Sequence, residues 1–380
     1  MKSKIKMKIK NPFILSSYIS PEWFCDRKKE TTRTIDAVVN GRNLLIFSLR
    51  RLGKTQLIKH SFHLLEEKHN FSTVYFDILH TRNLNEFTQA FADAVFHSLE
   101  TDTSSLLKKA TKILSNLRVS LSLDSISGQP SLQLDIKDAR ESEATLSKIF
   151  EYLTTLKKNI VIAIDEFQKI SVYPEDNVEE LLRSFISNCP NVRFIFSGSS
   201  NHLLISMFDS ASQPFYKSTE MMKLEKIEDK PYLDFIKRQF EKFDKSIDDT
   251  QITDLLIWCR SHTFYVQYAF NKLFSITDTV VSDQDITNVK LTILEENAPV
   301  YYSWSQLLTK VQGALLTAIA AEGIISEVYS NFFITKHRLG STSTVRTALR
   351  ALLSRELVYE SQAGYQVYDV FLSRWLERGK

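Results

Sequence analysis

The most constraining feature of this sequence is the segment Ser48-Leu-Arg-Arg-Leu-Gly-Lys-Thr55, which joins an apolar run to a helical stretch. Residues 44–49 predict a buried strand and residues 56–69 predict a helix. A phosphate-binding loop needs backbone N–H groups at a helix N-terminus, a lysine that reaches the phosphates and a hydroxyl group for Mg²⁺. Gly53, Lys54 and Thr55 lie where these parts are required.

Ser48 occupies the position at which such loops usually begin with glycine. Glycine is usual there because the backbone must turn tightly and approach the phosphate closely. Ser48 therefore weakens the match without excluding it, and the Gly-Lys-Thr triplet taken alone favours a solvated Lys-Thr at a helix start.

A second motif, Val161-Ile-Ala-Ile-Asp-Glu166, is an apolar strand that ends in two acids. Asp165 can hold Mg²⁺ through water, and Glu166 can polarise the attacking water of a hydrolysis reaction. The alternative is an acidic strand end that only caps a loop. Both motifs in this order predict nucleotide binding, and hydrolysis is a further hypothesis.

A third strand, at residues 192–200, ends in the polar sequence Ser197-Gly-Ser-Ser200. A strand beside the acidic one can direct a polar side chain at the terminal phosphate or the attacking water, which makes Ser197, Ser199 and Ser200 candidates. A simple Gly-Ser turn after the strand is the alternative.

Strands alternate with helices over the first 228 residues, and the strands are almost continuously apolar. This pattern is typical of parallel strands buried on both faces. The sequence therefore predicts an α/β core, a three-layer, mostly parallel five-stranded sheet of the P-loop NTPase type. Period-2 alternation around a Gly-Gln-Pro break predicts a β-hairpin inserted at residues 118–135.

Beyond residue 228 the pattern becomes helical, which predicts a helical lid. The tail then reads as helix, helix, strand, turn, strand and helix, the order of a winged-helix domain. Separate helices are expected over 283–297 and 304–321. The expected organisation is a basic arm (1–20), the core (21–228), the lid (229–300) and the winged helix (301–380).

Composition excludes several other classes of protein. No apolar run approaches the roughly 18 residues of a membrane span, and three cysteines in 380 residues are too few for a disulfide framework. Five lysines among the first ten residues precede no apolar segment, so no signal peptide is expected. They could pair with phosphates or extend into solvent. Cytoplasmic localisation and no membrane partner are the resulting expectations.

The residues also carry a resemblance to a known family. Phe24-Cys-Asp-Arg-Lys-Lys-Glu30, the Arg50-Arg51-Leu52 that precedes Gly53-Lys54-Thr55, and the Phe167-Gln168 that follows the acids are similar to motifs of archaeal-type P-loop ATPases, close to the STAND and AAA+ groups. The resemblance covers about residues 11–378, and serine in the first glycine position is familiar in that group.

The resemblance implies ATP and Mg²⁺ as cofactors, and no Asn-Lys-x-Asp guanine motif is present. It implies metal binding by Thr55 and Asp165, and catalytic roles for Glu166, Lys54, Ser199 and Lys217. The nucleotide-binding residues that it implies are Phe24, Arg27, Ser48, Arg50, Arg51, Leu52, Gly53, Lys54, Thr55 and Gln56.

Two positions depart from the family pattern. The lid of these ATPases usually carries a Gly-x-Pro-Tyr/Phe box near the nucleotide, and here Ser261-His-Thr-Phe-Tyr265 lacks both glycine and proline. Lys217 stands where relatives often have arginine. A lysine can neutralise phosphate charge but lacks the bidentate fork of arginine, and it could also be a solvated surface residue.

The tail resembles the winged helix that ends many of these ATPases. Its expected recognition helix, 342–355, places Arg346 and Arg350 one turn apart on one face. Residues 303–380 contain nine Lys or Arg and six Asp or Glu, a net of +3. This is little positive charge for a DNA-binding module, and docking of a protein or packing within the chain is the alternative.

These observations favour an ATP-binding, ATP-hydrolysing switch that couples its nucleotide state to the winged helix. One alternative is a DNA-binding regulator that uses nucleotide only as a structural ligand. Another is a module that recognises a protein partner, for example through hairpin 118–135, or that associates with itself, without turnover.

Overall fold

The computed structural model describes residues 9–100, 103–114, 119–123, 130–199 and 201–379. The chain divides into two compact units. One is the α/β core, Ser17–Glu225, and the other combines the described residues before Ser17 with those from Lys226 onward.

A five-stranded parallel sheet forms the centre of the core, as the sequence predicts. In chain order the strands of the core are β1 (Leu44–Phe47), β2 (Phe71–Asp77), β3 (Val119–Leu123), β4 (Pro130–Leu134), β5 (Asn159–Asp165), β6 (Val192–Gly198) and β7 (Glu220–Lys223). The spatial order in the five-stranded sheet is β2-β5-β6-β1-β7, which places the phosphate-loop strand β1 beside β6 and the acidic strand β5 on the other side of β6.

Helices cover both faces of this sheet, which makes three layers. Neighbouring residues of β1 enter opposite layers. Leu44 and Ile46 pack with the helices Lys28–Val39 and Lys54–His69, while Leu45 and Phe47 join an aromatic-rich core on the other face. This alternation is why the strands are apolar throughout. The helices are α1 (Lys28–Val39), α2 (Lys54–His69), α3 (Leu84–Leu99), α4 (Thr103–Ile113), α5 (Ala139–Thr155), α6 (Val178–Ser187) and α7 (Asn201–Asp209), with 3-10 helices at Pro21–Trp23 and Phe167–Val172.

The hairpin is present: β3 and β4 pair antiparallel from Val119 opposite Leu134 to Leu123 opposite Pro130. It rests on α3, where the side chain of Gln89 accepts a hydrogen bond from the Leu134 amide at 2.8 Å. Residue 118 and the hairpin tip, 124–129, lie outside the described residues.

The lid consists of α8 (Asp229–Glu241), α9 (Asp249–Trp258), α10 (Thr263–Ile276) and α11 (Asp283–Gln306). The expected break between 297 and 304 is wrong, because α11 continues through Pro299 to Gln306. Proline costs a helix one backbone hydrogen bond, but buried Tyr301 packs against Trp375 and holds this part of α11 in the fold. The expected boundary after residue 300 therefore falls inside a helix.

The segment before the core is attached to the lid. Phe13 is buried, and the amide groups of Asn11 and Asn271 each donate to a backbone carbonyl on the other segment at 2.8 Å. The first four lysines lie outside the described residues, so neither reading of them is decided. Phe13 packs against four lid aromatics: Phe235, Phe240, Phe270 and Phe274.

The remaining elements follow the expected winged-helix order. Each of the last three helices is preceded by an N-cap residue whose side chain accepts a hydrogen bond from a backbone amide of the first turn. These N-cap residues are Ser330, Ser341 and Asp369. The domain comprises α12 (Lys310–Glu322), α13 (Asn331–Lys336), α14 (Thr342–Ser354), the ribbon β8 (Val358–Ser361) and β9 (Gly364–Val367), and α15 (Val370–Arg378).

Candidate functional site

The loop between β1 and α2 begins with Ser48, which is buried and lacks a positive φ. Positive φ angles occur later, at Arg51 (63°) and Gly53 (96°). The backbone conformation at position 48 therefore does not require glycine, and the serine hydroxyl makes two hydrogen bonds there. It donates to the Leu49 carbonyl at 2.7 Å and accepts a hydrogen bond from the Lys54 ammonium at 3.1 Å.

Lys54 is the first residue of α2 and is only 7% exposed. Its burial lowers the pKa of the ammonium group, although the nearby carboxylates Asp165 and Glu166 oppose this shift. A buried cation at a helix N-terminus is a favourable place for an anion, because the lysine and the positive end of the helix dipole act together.

Asp165, at the end of β5, is 4% exposed, and its carboxylate accepts four hydrogen bonds from described residues. The hydroxyls of Thr55 and Tyr75 donate to Oδ2 at 2.7 and 2.8 Å. The Ser197 hydroxyl and the Glu166 amide donate to Oδ1 at 2.6 and 3.1 Å. Burial, together with Asp165, raises the pKa of the Tyr75 phenol, which keeps this group a donor.

This donor set fits Mg²⁺. Mg²⁺ prefers oxygen ligands and in phosphate sites is usually held by one or two carboxylates together with waters and substrate phosphates. The Thr55 hydroxyl and the Asp165 carboxylate are two such oxygens in direct contact at the head of α2. Within the described residues no cluster of three or more His, Cys, Asp or Glu could hold a metal by itself, so the phosphates would have to complete the coordination.

Glu166 lies beside this pair in a left-handed conformation, with φ 58°. Its Oε2 accepts hydrogen bonds from the side-chain amide Nε2 of Gln168 at 2.5 Å and from the Ser199 hydroxyl at 3.0 Å. The Arg50 Nε lies 3.4 Å from the same Ser199 oxygen. Ser199 thus connects the loop to the acidic strand end, whereas Ser200 lies outside the described residues.

Gln168 and Tyr75 contact the site, but the prediction from the sequence did not include them among the site residues. A side chain at Gly198 would collide with Gln168, since a Cβ there would lie 2.0 Å from the Gln168 Oε1. The Phe-Gln pair after the acids was a visible signal for Gln168. For Tyr75 no sequence signal existed, because its contact with Asp165 depends on β2 lying beside β5.

Arg27 is bound to the backbone of the phosphate loop. It is 3% exposed, donates to the Leu52 carbonyl at 3.1 Å and pairs with Glu30 at 2.9 Å. Phe24 is half-buried and stacks on His60 of α2, with ring centroids 4.2 Å apart. Both implied nucleotide-binding residues therefore contact the loop or the helix that follows it.

Three other implied residues differ in their surroundings. Leu52 is buried, and Gln56 is half-buried in the first turn of α2. Lys217 is exposed and makes local contacts: its amide donates to the Phe208 carbonyl at 3.4 Å, and its ammonium lies 5.2 Å from the centre of the Tyr216 ring. These contacts do not join Lys217 to the loop or to the acids.

The segment that replaces the lid box packs against the winged helix. The Tyr265 ring lies 4.7 Å from that of Phe371, and the Arg374 guanidinium donates to the Trp258 and Ile257 carbonyls at 2.9 and 3.1 Å. Arg374 thereby binds the C-terminal end of α9, where the Ile257 carbonyl also accepts a hydrogen bond from the Arg260 amide at 3.0 Å.

Comparisons with known proteins agree with this geometry. Residues 24–259 match a family model described as "ATPase domain predominantly from Archaea", and residues 299–378 match one described as "Probable winged helix domain". None of the curated proteins matches the chain.

Several solved structures are similar over nearly the whole chain. A Walker-type ATPase of Pyrococcus abyssi has a TM-score of 0.63 at 16% identity, covering 96% of this chain and 99% of the other. The Aeropyrum pernix ORC2 protein, solved as ADPNP and ADP complexes, has 0.57 at 12%, covering 98% of each. The Aeropyrum pernix ORC1 protein, solved with DNA, has 0.54 at 12%, covering 97% and 96%.

At these identities the structures establish the shared fold. The family model covers more than half of the chain and includes the phosphate loop, the acidic strand end and the Ser-Gly-Ser strand. The chain therefore belongs to the family of ATPase domains found predominantly in Archaea and ends in a winged-helix domain.

Proposed function

We propose that this chain binds ATP with Mg²⁺, hydrolyses it and passes its nucleotide state through the lid to the winged helix. One observation carries the proposal: the Thr55 hydroxyl at the head of α2 lies 2.7 Å from the Asp165 carboxylate at the end of β5. Phosphate loop and acidic strand are thus brought into one site.

In this site Lys54 and the loop amides would bind the phosphates. Thr55 and Asp165 would hold Mg²⁺, which would neutralise charge on the outer phosphates. Arg27 would keep the loop in place through the Leu52 carbonyl. Arg50 reaches Ser199 across the loop, so these two residues would sense whether the terminal phosphate is present.

Glu166 would orient the attacking water and accept its proton. Both described hydrogen bonds to its carboxylate end on Oε2. Among the described residues nothing binds Oε1, so this oxygen can take the water.

The switch itself is supported by the contact between the lid and the winged helix. Tyr265, within the segment that replaces the lid box, packs on Phe371 of α15, and Arg374 of α15 binds the end of α9. A movement of these lid helices would therefore carry α15 with it.

Kinship with the STAND and AAA+ groups and cytoplasmic localisation belong to the same proposal. No described helix is long and apolar enough to cross a membrane.

Two measurements on the purified full chain test the proposal. Calorimetry should show ATP binding that requires Mg²⁺ for full affinity, and phosphate release should stop when EDTA is added. Both should be repeated with duplex DNA. Binding without turnover in every condition would leave a nucleotide-dependent binder, and no binding of ATP would overturn the proposal.

A second candidate is DNA binding through α14, where Arg346 and Arg350 are exposed together with several Ser and Thr residues. The similar ORC1 protein was solved in complex with DNA. Against this candidate, the neighbouring Lys336 is paired with Glu322 at 2.7 Å, which reduces the free positive charge of the surface. Duplex binding at physiological salt would support it.

A further inference from the structure

A cavity of about 320 Å³ lies within the second compact unit, between α9 and α11 of the lid and α15 of the winged helix. This volume is at the lower end of the range for small-molecule clefts. None of the residues that line it belongs to the phosphate loop or to the acidic strand end, so the nucleotide site does not account for it.

The lining is rich in positive charge. Lys290, Arg374 and Arg378 face one acid, Glu377. Arg374 is fixed in place, because it binds the end of α9 and pairs with Glu377 at 2.9 Å. Lys290 is paired with Asp254 at 2.7 Å. Arg378 is exposed and forms no ion pair among the described residues, so one cation is free to receive an anion.

The rest of the lining includes large apolar side chains. Leu294 is 3% exposed and Leu291 is half-buried, and both line the cavity from α11. The indole of Trp258 forms another part of the lining and is held by Phe371, whose ring centroid lies 5.2 Å away. An apolar or aromatic ring would be removed from water there, which is the main favourable term for such ligands.

We propose that this cavity binds a small organic anion with an apolar ring: the ring lies against Leu294 and Trp258, and the anionic group faces Arg378. Such a ligand touches both α15 and the lid helices, so its binding would stabilise their contact. The regulatory consequence, an effect on ATP turnover, rests on the proposed function, whereas binding itself does not.

The test uses the full chain and a matched pair of probes, 2-naphthoate and its neutral counterpart 2-naphthylmethanol, measured by calorimetry. Two variants alter the cavity: Arg378→Glu reverses the free charge, and Thr287→Trp fills the cavity from an exposed position on α11. Lys310→Glu makes the same charge change at an exposed position outside the cavity. Circular dichroism checks that each variant is folded.

Naphthoate should bind the parent chain saturably with a Kd of about 1 mM or tighter. Arg378→Glu and Thr287→Trp should each weaken binding about tenfold or more, while Lys310→Glu should bind like the parent. The proposal is overturned if naphthoate does not bind the parent, if both cavity variants bind naphthoate as tightly as the parent does, or if the neutral alcohol binds the parent as tightly as naphthoate does. ATP binding and turnover are measured separately: a chain that binds naphthoate but does not bind ATP would keep this site and reject the proposed function.

Discussion

The carboxyl edge of the core sheet and the outer face of α14 both present polar and charged side chains, but they are built differently. At the sheet edge, Lys54 and Asp165 are buried, and the Asp165 carboxylate accepts hydrogen bonds from three residues far from it in the chain, Thr55, Tyr75 and Ser197. On α14, Arg346 and Arg350 come from one helix and are exposed. Arg346 lies 5.5 Å from the centre of the Tyr329 ring.

The difference lies in what a single side chain controls. A buried charge without its partners costs several kcal/mol, so each residue of the sheet edge depends on the others. An exposed charge is screened by water and salt and contributes little by itself. Substitutions should therefore have large, specific effects at the sheet edge and small, salt-dependent ones on α14.

The largest effect is expected from Glu166→Gln. The amide can keep the geometry but cannot accept a proton, so turnover should fall by about two orders of magnitude or more while ATP stays bound. Phosphate release and calorimetry on the same sample separate the two quantities. Hydrolysis at the parent rate would show that Glu166 does not activate the water.

Lys54→Ala should weaken ATP binding about tenfold or more, because it removes a charge-assisted contact worth roughly 1.5–3 kcal/mol. Calorimetry measures the change. Lys68→Ala, at the other end of α2 and exposed, is the matched control and should bind like the parent. Equal affinities in both variants would contradict the phosphate-loop interpretation.

Arg374→Ala tests whether a third region, the contact between lid and winged helix, behaves like the buried site. Loss of its bonds to the end of α9 should increase hydrogen exchange in α15 about tenfold, since bonds to charged groups contribute roughly 1.5–3 kcal/mol. Arg355→Ala is the control, because exposed Arg355 donates one bond to the Leu307 carbonyl at 2.9 Å. Unchanged exchange would mean that aromatic packing alone holds α15.

A smaller effect involves His60 of α2, which stacks on Phe24. Burial lowers the pKa of His60 to about 4, below the usual 6.5. The unfolded chain therefore takes up this proton first as the pH falls, and thermal stability should decrease from pH 6.5 to pH 4. His60→Gln should flatten that slope, whereas His69→Gln, exposed at the end of α2, should not. Equal slopes in the parent and His60→Gln would reject this origin.

The smallest effect is expected from the double variant Arg346→Ala, Arg350→Ala. It should lower thermal stability slightly, by about 0.5–1 kcal/mol for the lost contact with Tyr329, with no duplex DNA binding in either form. If α14 reads DNA instead, the parent binds duplex at physiological salt. The double variant then binds more weakly, and its log–log salt slope is shallower by about two units.

Much of the site was predictable from its local patterns. The order of strand, loop and helix around Lys54, and the apolar strand ending in Asp165, are each written in one short segment. The parallel five-stranded sheet followed from the alternation of apolar strands and helices. The contact of Ser48 was not predictable from its type: glycine is the usual residue there, and in the fold the serine hydroxyl accepts a hydrogen bond from Lys54.

Other features could not be predicted, because they depend on packing. Separate helices were expected over 283–297 and 304–321, yet Tyr301 packs on Trp375 and α11 continues through Pro299. Residues 1–20 were expected to form an arm of their own, yet Phe13 is buried among lid aromatics. In both cases burial of one aromatic side chain, worth a few kcal/mol, outweighs the local preference.

The sequence by itself determined the class of fold and the chemical parts of the site, because strand periodicity and the Gly-Lys-Thr and Asp-Glu motifs are local properties of the chain. Only the tertiary structure decided which side chains complete the site. Strand order places β2 and β6 on either side of β5, and so brings Tyr75 and Ser197 to Asp165. Strand order arises from how whole layers pack, and no short segment encodes it.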